Sequence, residues 1–196
     1  MRRFFSSDPL FPVFLIFTAL LNPFAPLKAH ECPQEVAQPA TDLEVRPRAV
    51  VPPREIVAYP GNEAPGTIVV STEERRLYFI LPDHQAIRYG IGVGRPGFEW
   101  SETTRIAMKR EWPSWAPSRE MRRRRPDLPH FMPGGLNNPL GARAMYLGRT
   151  LYRIHGTNEP QSIGRAVSSG CIRMTNEDVM DLYERVKIGA RVIVSR

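Results

Sequence analysis

From Gly66 onward the chain alternates short β-branched and aromatic runs with polar breaks. The runs "TIVVS", "RLYFIL" and "AIRYGIGVG" are separated only by "TEERR" and "PDHQ", a pattern that predicts antiparallel strands joined by short turns. Further on, "AMYLG" and "LYRIHG" flank Arg149-Thr150 and predict a hairpin, which sets His155 at or just past a strand end. The period then lengthens. Thr175 with Asp178 three residues on resembles a capping box, and Val179, Leu182, Tyr183 and Val186 follow the i, i+3, i+4, i+7 stripe of a helix. Gly189 marks its stop, and "ARVIVS" predicts a strand. The pattern describes a mainly β domain with at least one packed α-helix near the C-terminus and no internal repeat.

Three regions do not fit this alternation. Residues 1–29 carry Arg2 and Arg3, an apolar stretch Leu10–Leu21 broken by Pro12, and a small-residue exit at Ala29, the layout of a secretory signal peptide. The apolar stretch falls well short of the roughly 20 residues a spanning helix needs, so contact with a membrane is expected only during export. Residues 30–63 are rich in proline and charge and read as a linker, leaving 64–196 as one domain. Within that domain, Trp100 to Arg143 is dense in Pro, Trp, Arg and Gly and reads as a long ordered loop walling a site. Trp112, Trp115, Phe131 and, just beyond it, Tyr146 are candidate cleft or core aromatics.

Charge narrows the partners. The chain carries 27 Lys and Arg against 20 Asp and Glu, and "REMRRRRP" from Arg119 to Pro126 concentrates the excess. A basic exported protein meets anionic partners in the cell envelope. Nucleic acid is not expected, because the run lacks the interleaved aromatics of a base-stacking surface. The same run also suits a solvated helix face or loop.

Two cysteines in an exported chain would by default form a disulfide. Cys32 lies in the linker, however, and Cys171 sits inside a dense motif, so Cys171 reads as a free thiol. A histidine within hydrogen-bond reach can take a thiol's proton or stabilise its thiolate, which makes His155 and Cys171 a candidate nucleophile pair. Gly170 permits a tight turn that could aim backbone N–H groups at a developing oxyanion. Acyl transfer suits these parts, although a lone His and a lone Cys are also commonly structural. Cys171, His155, His130 and His84 match no compact zinc-ligand spacing, so no metal is expected. Ser168 and Ser169 lack the Gly-x-Ser-x-Gly elbow of a serine hydrolase and read as loop hydroxyls bonding nearby backbone.

The segment "IHGTNEP…SIGRAVSSGCIRM" resembles the signature of the L,D-transpeptidase catalytic domain, the YkuD domain, in its ErfK/YbiS-like form. The resemblance extends over "WPSWAPSREM", "GGLNNPLGARAMYLG" and "NEDVMDLYERVKIGARVIV". It implies a sandwich- or barrel-like β fold and a periplasmic or wall-facing enzyme. Its substrates would be peptidoglycan stem peptides, with neither metal nor organic cofactor.

Residue by residue, it implies Cys171 as nucleophile, His155 as general base and the Gly156 carbonyl as the group orienting the imidazole. Backbone N–H groups around Gly170 and Cys171 would help form the oxyanion hole, and Arg173 would support the site or a substrate carboxylate, or form an internal ion pair. Ser169 stands where many members of the family have a second histidine and is assigned loop support. The acceptor of the acyl group stays open among a second stem peptide, an envelope lipoprotein and water. A non-catalytic peptidoglycan-binding module is the reading from another class.

Overall fold

A computed structural model describes residues 52–196. The segment read as a signal peptide, most of the segment read as a linker and Cys32 lie outside them. Eleven strands and two α-helices follow in order: β1 (Glu55–Ala58), β2 (Ile68–Ser71), β3 (Arg76–Leu81), β4 (Gln85–Gly90), β5 (Val93–Gly94), β6 (Glu102–Glu111), α1 (Arg119–Arg124), β7 (Arg143–Leu147), β8 (Arg153–His155), β9 (Ala166–Ser168), β10 (Ile172–Arg173), α2 (Asn176–Arg185) and β11 (Arg191–Ser195). Nine strands make one curled sheet in the order β1-β4-β3-β2-β11-β6-β7-β8-β10, and β5 pairs with β9 beside it.

The alternation read from the sequence is what builds the core. In β2, Ile68 and Val70 are buried while Val69 and Ser71 are only half-buried, and Leu77 and Phe79 of β3 join them inside. Tyr89 is fully buried with its hydroxyl on Asp181 of α2 at 2.6 Å, so the largest core side chain still satisfies its polar end. Helix α2 starts where Thr175 Oγ1 accepts from the Asp178 N–H and lays Val179 and Leu182 into the core. Its far end is closed by Lys109 of β6. That ammonium donates to the Val186 carbonyl at 2.7 Å and sits 4.0 Å from the Tyr183 ring centre, a cation placed at the negative end of the helix dipole.

Three expectations need correction. The stretch Trp100–Arg143 is not one long loop, because its first part is the ten-residue strand β6, paired with β11 on one side and β7 on the other. Its text, "ETTRIAMKRE", hides the strand: Ile106 is the one residue of β6 that is fully buried, so no alternation shows. Residues 55–58, inside the segment read as linker, form β1 at the edge of the sheet against β4, where Glu55 pairs with Arg88. The run "AIRYGIGVG" is not one strand either. It breaks after Gly90, and Gly92 passes so close to the Ser162 carbonyl that a Cβ there would lie 2.9 Å from it.

Not all pairings are antiparallel. β11 runs parallel to β2, β10 to β8 and β5 to β9. The basic run is the short helix α1, capped by Ser118 and without a buried residue, in keeping with a solvated face.

Candidate active site

The last three strand positions before the motif's loop set the imidazole. β8 and β10 pair in parallel with Ile172 across from Ile154 and Arg173 across from His155. Both isoleucines are fully buried, and that anchors the register. His155 and Arg173 therefore share the opposite face, and Cys171 immediately precedes β10, two residues before Arg173. The main chain around His155 is fixed on both sides, since the Met174 N–H donates to its carbonyl at 2.8 Å and the Gly156 N–H donates to Arg143 at 3.0 Å.

His155 is buried, and its Nδ1 lies 2.6 Å from the Gly156 carbonyl. A carbonyl only accepts, so Nδ1 carries the proton and Nε2 is left with a free lone pair. Burial, aided by the charges of Arg173 and Arg153, pushes the imidazole down to about 3, against the opposing pull of the Gly156 carbonyl. The ring is thus a neutral base at physiological pH rather than a standing cation. Gly156 has to be glycine, because a Cβ there would collide with Asn176 Oδ1, which is itself engaged by the Ala142 N–H at 2.9 Å.

Cys171 is half-buried and a free thiol, with Sγ 3.9 Å from the Leu151 carbonyl. The loop beneath it is held from three directions. Ser168 Oγ accepts from the Gly170 N–H at 3.1 Å and donates to the Cys171 carbonyl at 2.6 Å, closing the turn on itself. Trp100 donates its indole N–H to the Gly170 carbonyl at 2.7 Å. Tyr152 stacks on Trp100 at 4.5 Å with the planes 8° apart, and its ring occupies the space a Gly170 Cβ would need. With φ at +102°, Gly170 is glycine on both counts.

Its N–H, expected among the oxyanion donors, is donated to Ser168 Oγ. Ser169 Oγ accepts from Arg95 at 3.3 Å. Arg173 pairs with Glu159 at 3.0 Å, and its buried Nε has no hydrogen-bond partner.

Sequence reasoning missed Trp100, Tyr152, Arg95 and Glu159. Trp100 and Gly170 lie 70 residues apart, and no spacing rule links them. Of the four aromatics singled out, Trp112 and Phe131 are exposed, at 41% and 61%. Trp115 lines a cavity beside Ser169, and half-buried Tyr146 lies under the Arg153 guanidinium. His130 stands against Arg122, its Nδ1 2.8 Å from that guanidinium. Among the described residues, no three His, Cys, Asp or Glu side chains gather as a metal would require.

The family model of the YkuD domain, described as the L,D-transpeptidase catalytic domain, matches residues 65–194. The chain belongs to this family. The probable L,D-transpeptidase ErfK/SrfK of Escherichia coli K12 is 43% identical to it over 132 residues, 64% of this chain and 42% of that one. The chain spans less than half the length of the curated relatives it matches. Among solved structures, the probable carnitine operon oxidoreductase of Brucella melitensis is 44% identical, with a TM-score of 0.51 over 75% of this chain and 97% of that one. An L,D-transpeptidase from Mycobacterium smegmatis shares the fold at 16% identity, with a TM-score of 0.54 over 66% of this chain and 58% of that one. The transpeptidase domain so matched contains the whole constellation around His155 and Cys171.

Proposed function

We propose that this chain is an exported L,D-transpeptidase of the cell envelope, acting on peptidoglycan stem tetrapeptides. The observation that carries the reading is the neutral imidazole of His155, fixed by the Gly156 carbonyl with Nε2 free, on the strand beside Cys171. Nε2 takes the Sγ proton as sulfur bonds to the carbonyl carbon of the third stem residue. The tetrahedral intermediate collapses with cleavage of the C–N bond, and the imidazolium returns its proton to the departing terminal D-Ala. A thioester remains. An amine then attacks it, giving up a proton to His155 as the C–S bond breaks and the thiol is restored. With the Gly170 N–H turned to Ser168, the oxyanion falls to Cys171's own N–H.

The amine would be the side chain of another stem peptide or the lysine of an envelope lipoprotein. Incubating the mature protein with stem tetrapeptides and reading product masses tests this directly. A cross-linked dimer with loss of D-Ala is the expected product. A tripeptide alone would make water the acceptor and the enzyme a carboxypeptidase, and unchanged tetrapeptide would leave a binding module.

An oxidoreductase reading, suggested by the name of the Brucella protein, finds less support. Gly90 closes β4 and Gly94 closes β5, so the run through Gly92 leads from strand to strand rather than to the helix N-terminus that cradles a dinucleotide pyrophosphate.

Trp100 offers a test of how the nucleophile loop is held. Trp100→Phe keeps an aromatic against Tyr152 and removes the N–H donated to Gly170, leaving the carbonyl of a buried residue unpaired. The expected result is a stability loss of about 1–3 kcal/mol with slowed acylation, read by thermal melting and by the rate of acyl-enzyme formation. Unchanged acylation would show that the indole N–H does not position Cys171.

A further inference from the structure

Beside the nucleophile loop lies a 540 Å³ cavity with two unlike walls. One is cationic and comes from β10 and from the residues just past the ends of β5 and β9, with Arg173, Arg95 and Ser169. The other, from α1 and the segment after it, offers the apolar Met121 and Leu128 and adds Arg124. Most of these charges are already matched. Arg173 holds Glu159 at 3.0 Å and Arg124 reaches Glu120 at 3.5 Å. Arg125, also at this cavity, holds Asp127 at 2.6 Å.

Arg95 is different. Among the described residues it has no carboxylate partner, and its guanidinium bonds only the neutral Ser169 hydroxyl while lying 4.2 Å from the centre of the Phe98 ring. The Arg124 guanidinium approaches the same ring at 5.4 Å, so two cations are gathered around one aromatic ring. The main chain of Arg95 is pinned as well, its N–H to Ser168 at 3.0 Å and its carbonyl to the Phe98 N–H at 2.9 Å. A half-buried, preorganised guanidinium fork with no acid to bind suits a planar carboxylate.

We propose that this cavity is a carboxylate-recognition subsite, with Arg95 as its anchoring cation, and that it takes the free C-terminal carboxylate of the stem peptide. The proposal rests on the transpeptidase reading for the identity of the peptide. The placement follows from chain lengths. The terminal carboxylate of a donor peptide lies within about 4 Å of the carbonyl carbon that Cys171 attacks. Ser169, to which Arg95 is tethered, is two residues from Cys171, at most about 7 Å of chain. A carboxylate entering there would replace the Ser169 hydroxyl as the acceptor for Arg95 and reduce the repulsion between Arg95 and Arg124. The apolar wall would receive the methyl group of the terminal alanine.

The test separates binding from turnover. In the Cys171→Ala protein, a stem tetrapeptide with a free C-terminus is titrated calorimetrically against the same peptide with a terminal carboxamide. The carboxylate peptide should bind at least about tenfold more tightly, with an advantage that shrinks as salt is raised. Adding Arg95→Gln, which keeps the stem of the side chain, should make the two peptides bind alike, and Arg95→Lys should restore part of the difference.

Discrimination that survives Arg95→Gln overturns the proposal, as does failure of the parent to bind either peptide. Inorganic phosphate displacing the peptide at concentrations comparable to the peptide's own would also overturn it, by marking a general anion site. Arg95-dependent binding without product in the uninhibited enzyme would leave the subsite standing and sink the transpeptidase. Product formation indifferent to Arg95 would do the reverse.

Discussion

The Cys171→Ser protein is expected to fold as the parent does and to lose acyl-enzyme formation by a factor of about 10³ or more. Folding should survive because nothing in the loop depends on sulfur. The turn is closed by Ser168, tied to Trp100 through the Gly170 carbonyl and shaped by Tyr152, and Sγ makes only a 3.9 Å approach to the Leu151 carbonyl. Chemistry should fail because a serine hydroxyl is a far weaker acid and nucleophile than a thiol beside the same base. Intact-protein mass spectra with a stem tetrapeptide, alongside circular dichroism, measure both halves. A Cys171→Ser protein that turns over like the parent would remove the nucleophile assignment.

The second large effect concerns His155. Its substitution by Gln, which keeps most of the buried volume, should slow acylation by about 10²–10⁴-fold, the usual worth of a positioned general base. The pH profile carries more information than the loss. An ordinary histidine base would be protonated below about pH 6.5 and acylation would fade there. Burial holds His155 down to about 3, so Nε2 stays unprotonated and acylation should persist essentially undiminished from pH 7 to about 5. A fall centred near pH 6.5 would mean that the working base is an exposed imidazole.

Stability should respond with the opposite sign of convenience. Once unfolded, the same imidazole accepts a proton below about pH 6.5, whereas the folded state refuses it down to about 3. Over that window the unfolded chain binds the extra proton, and the folded protein loses stability as pH falls. His155→Gln should show a shallower decline.

Where local pattern and tertiary role coincide, the sequence was readable. Thr175, Val179 and Leu182 announce a capped amphipathic helix because a single face of it is buried, and Ile68 with Val70 announce a strand for the same reason. The stretch β6 defeats the reading because an antiparallel strand normally shows one buried face as an alternation, and this one buries only Ile106 fully while Glu102, Arg105 and Glu111 face solvent and Lys109 reaches the end of α2. At the site, His155 and Cys171 stand out as rare residue types in a glycine-rich motif. Their supports do not: Trp100, Tyr152 and Arg95 act through contacts that only the folded chain creates. Gly170 illustrates the limit well, since its place in the motif suggests an oxyanion donor while the Ser168 hydroxyl, two residues away, claims that N–H.

The strand β11 joins β2 on one side and β6 on the other, and Ser195 Oγ donates to the Val70 carbonyl 125 residues back along the chain. Until residues 191–195 have been synthesised, the hairpins β2-β3-β4 and β6-β7-β8 share no ladder, however well each forms alone. The pairing of β11 with β2 and β6 is non-local, so acquisition of the native sheet should be slow and rate-limited by the arrival of β11. A partly synthesised chain would keep the edges of β2 and β6 unpaired for that whole interval, open to pairing with other chains.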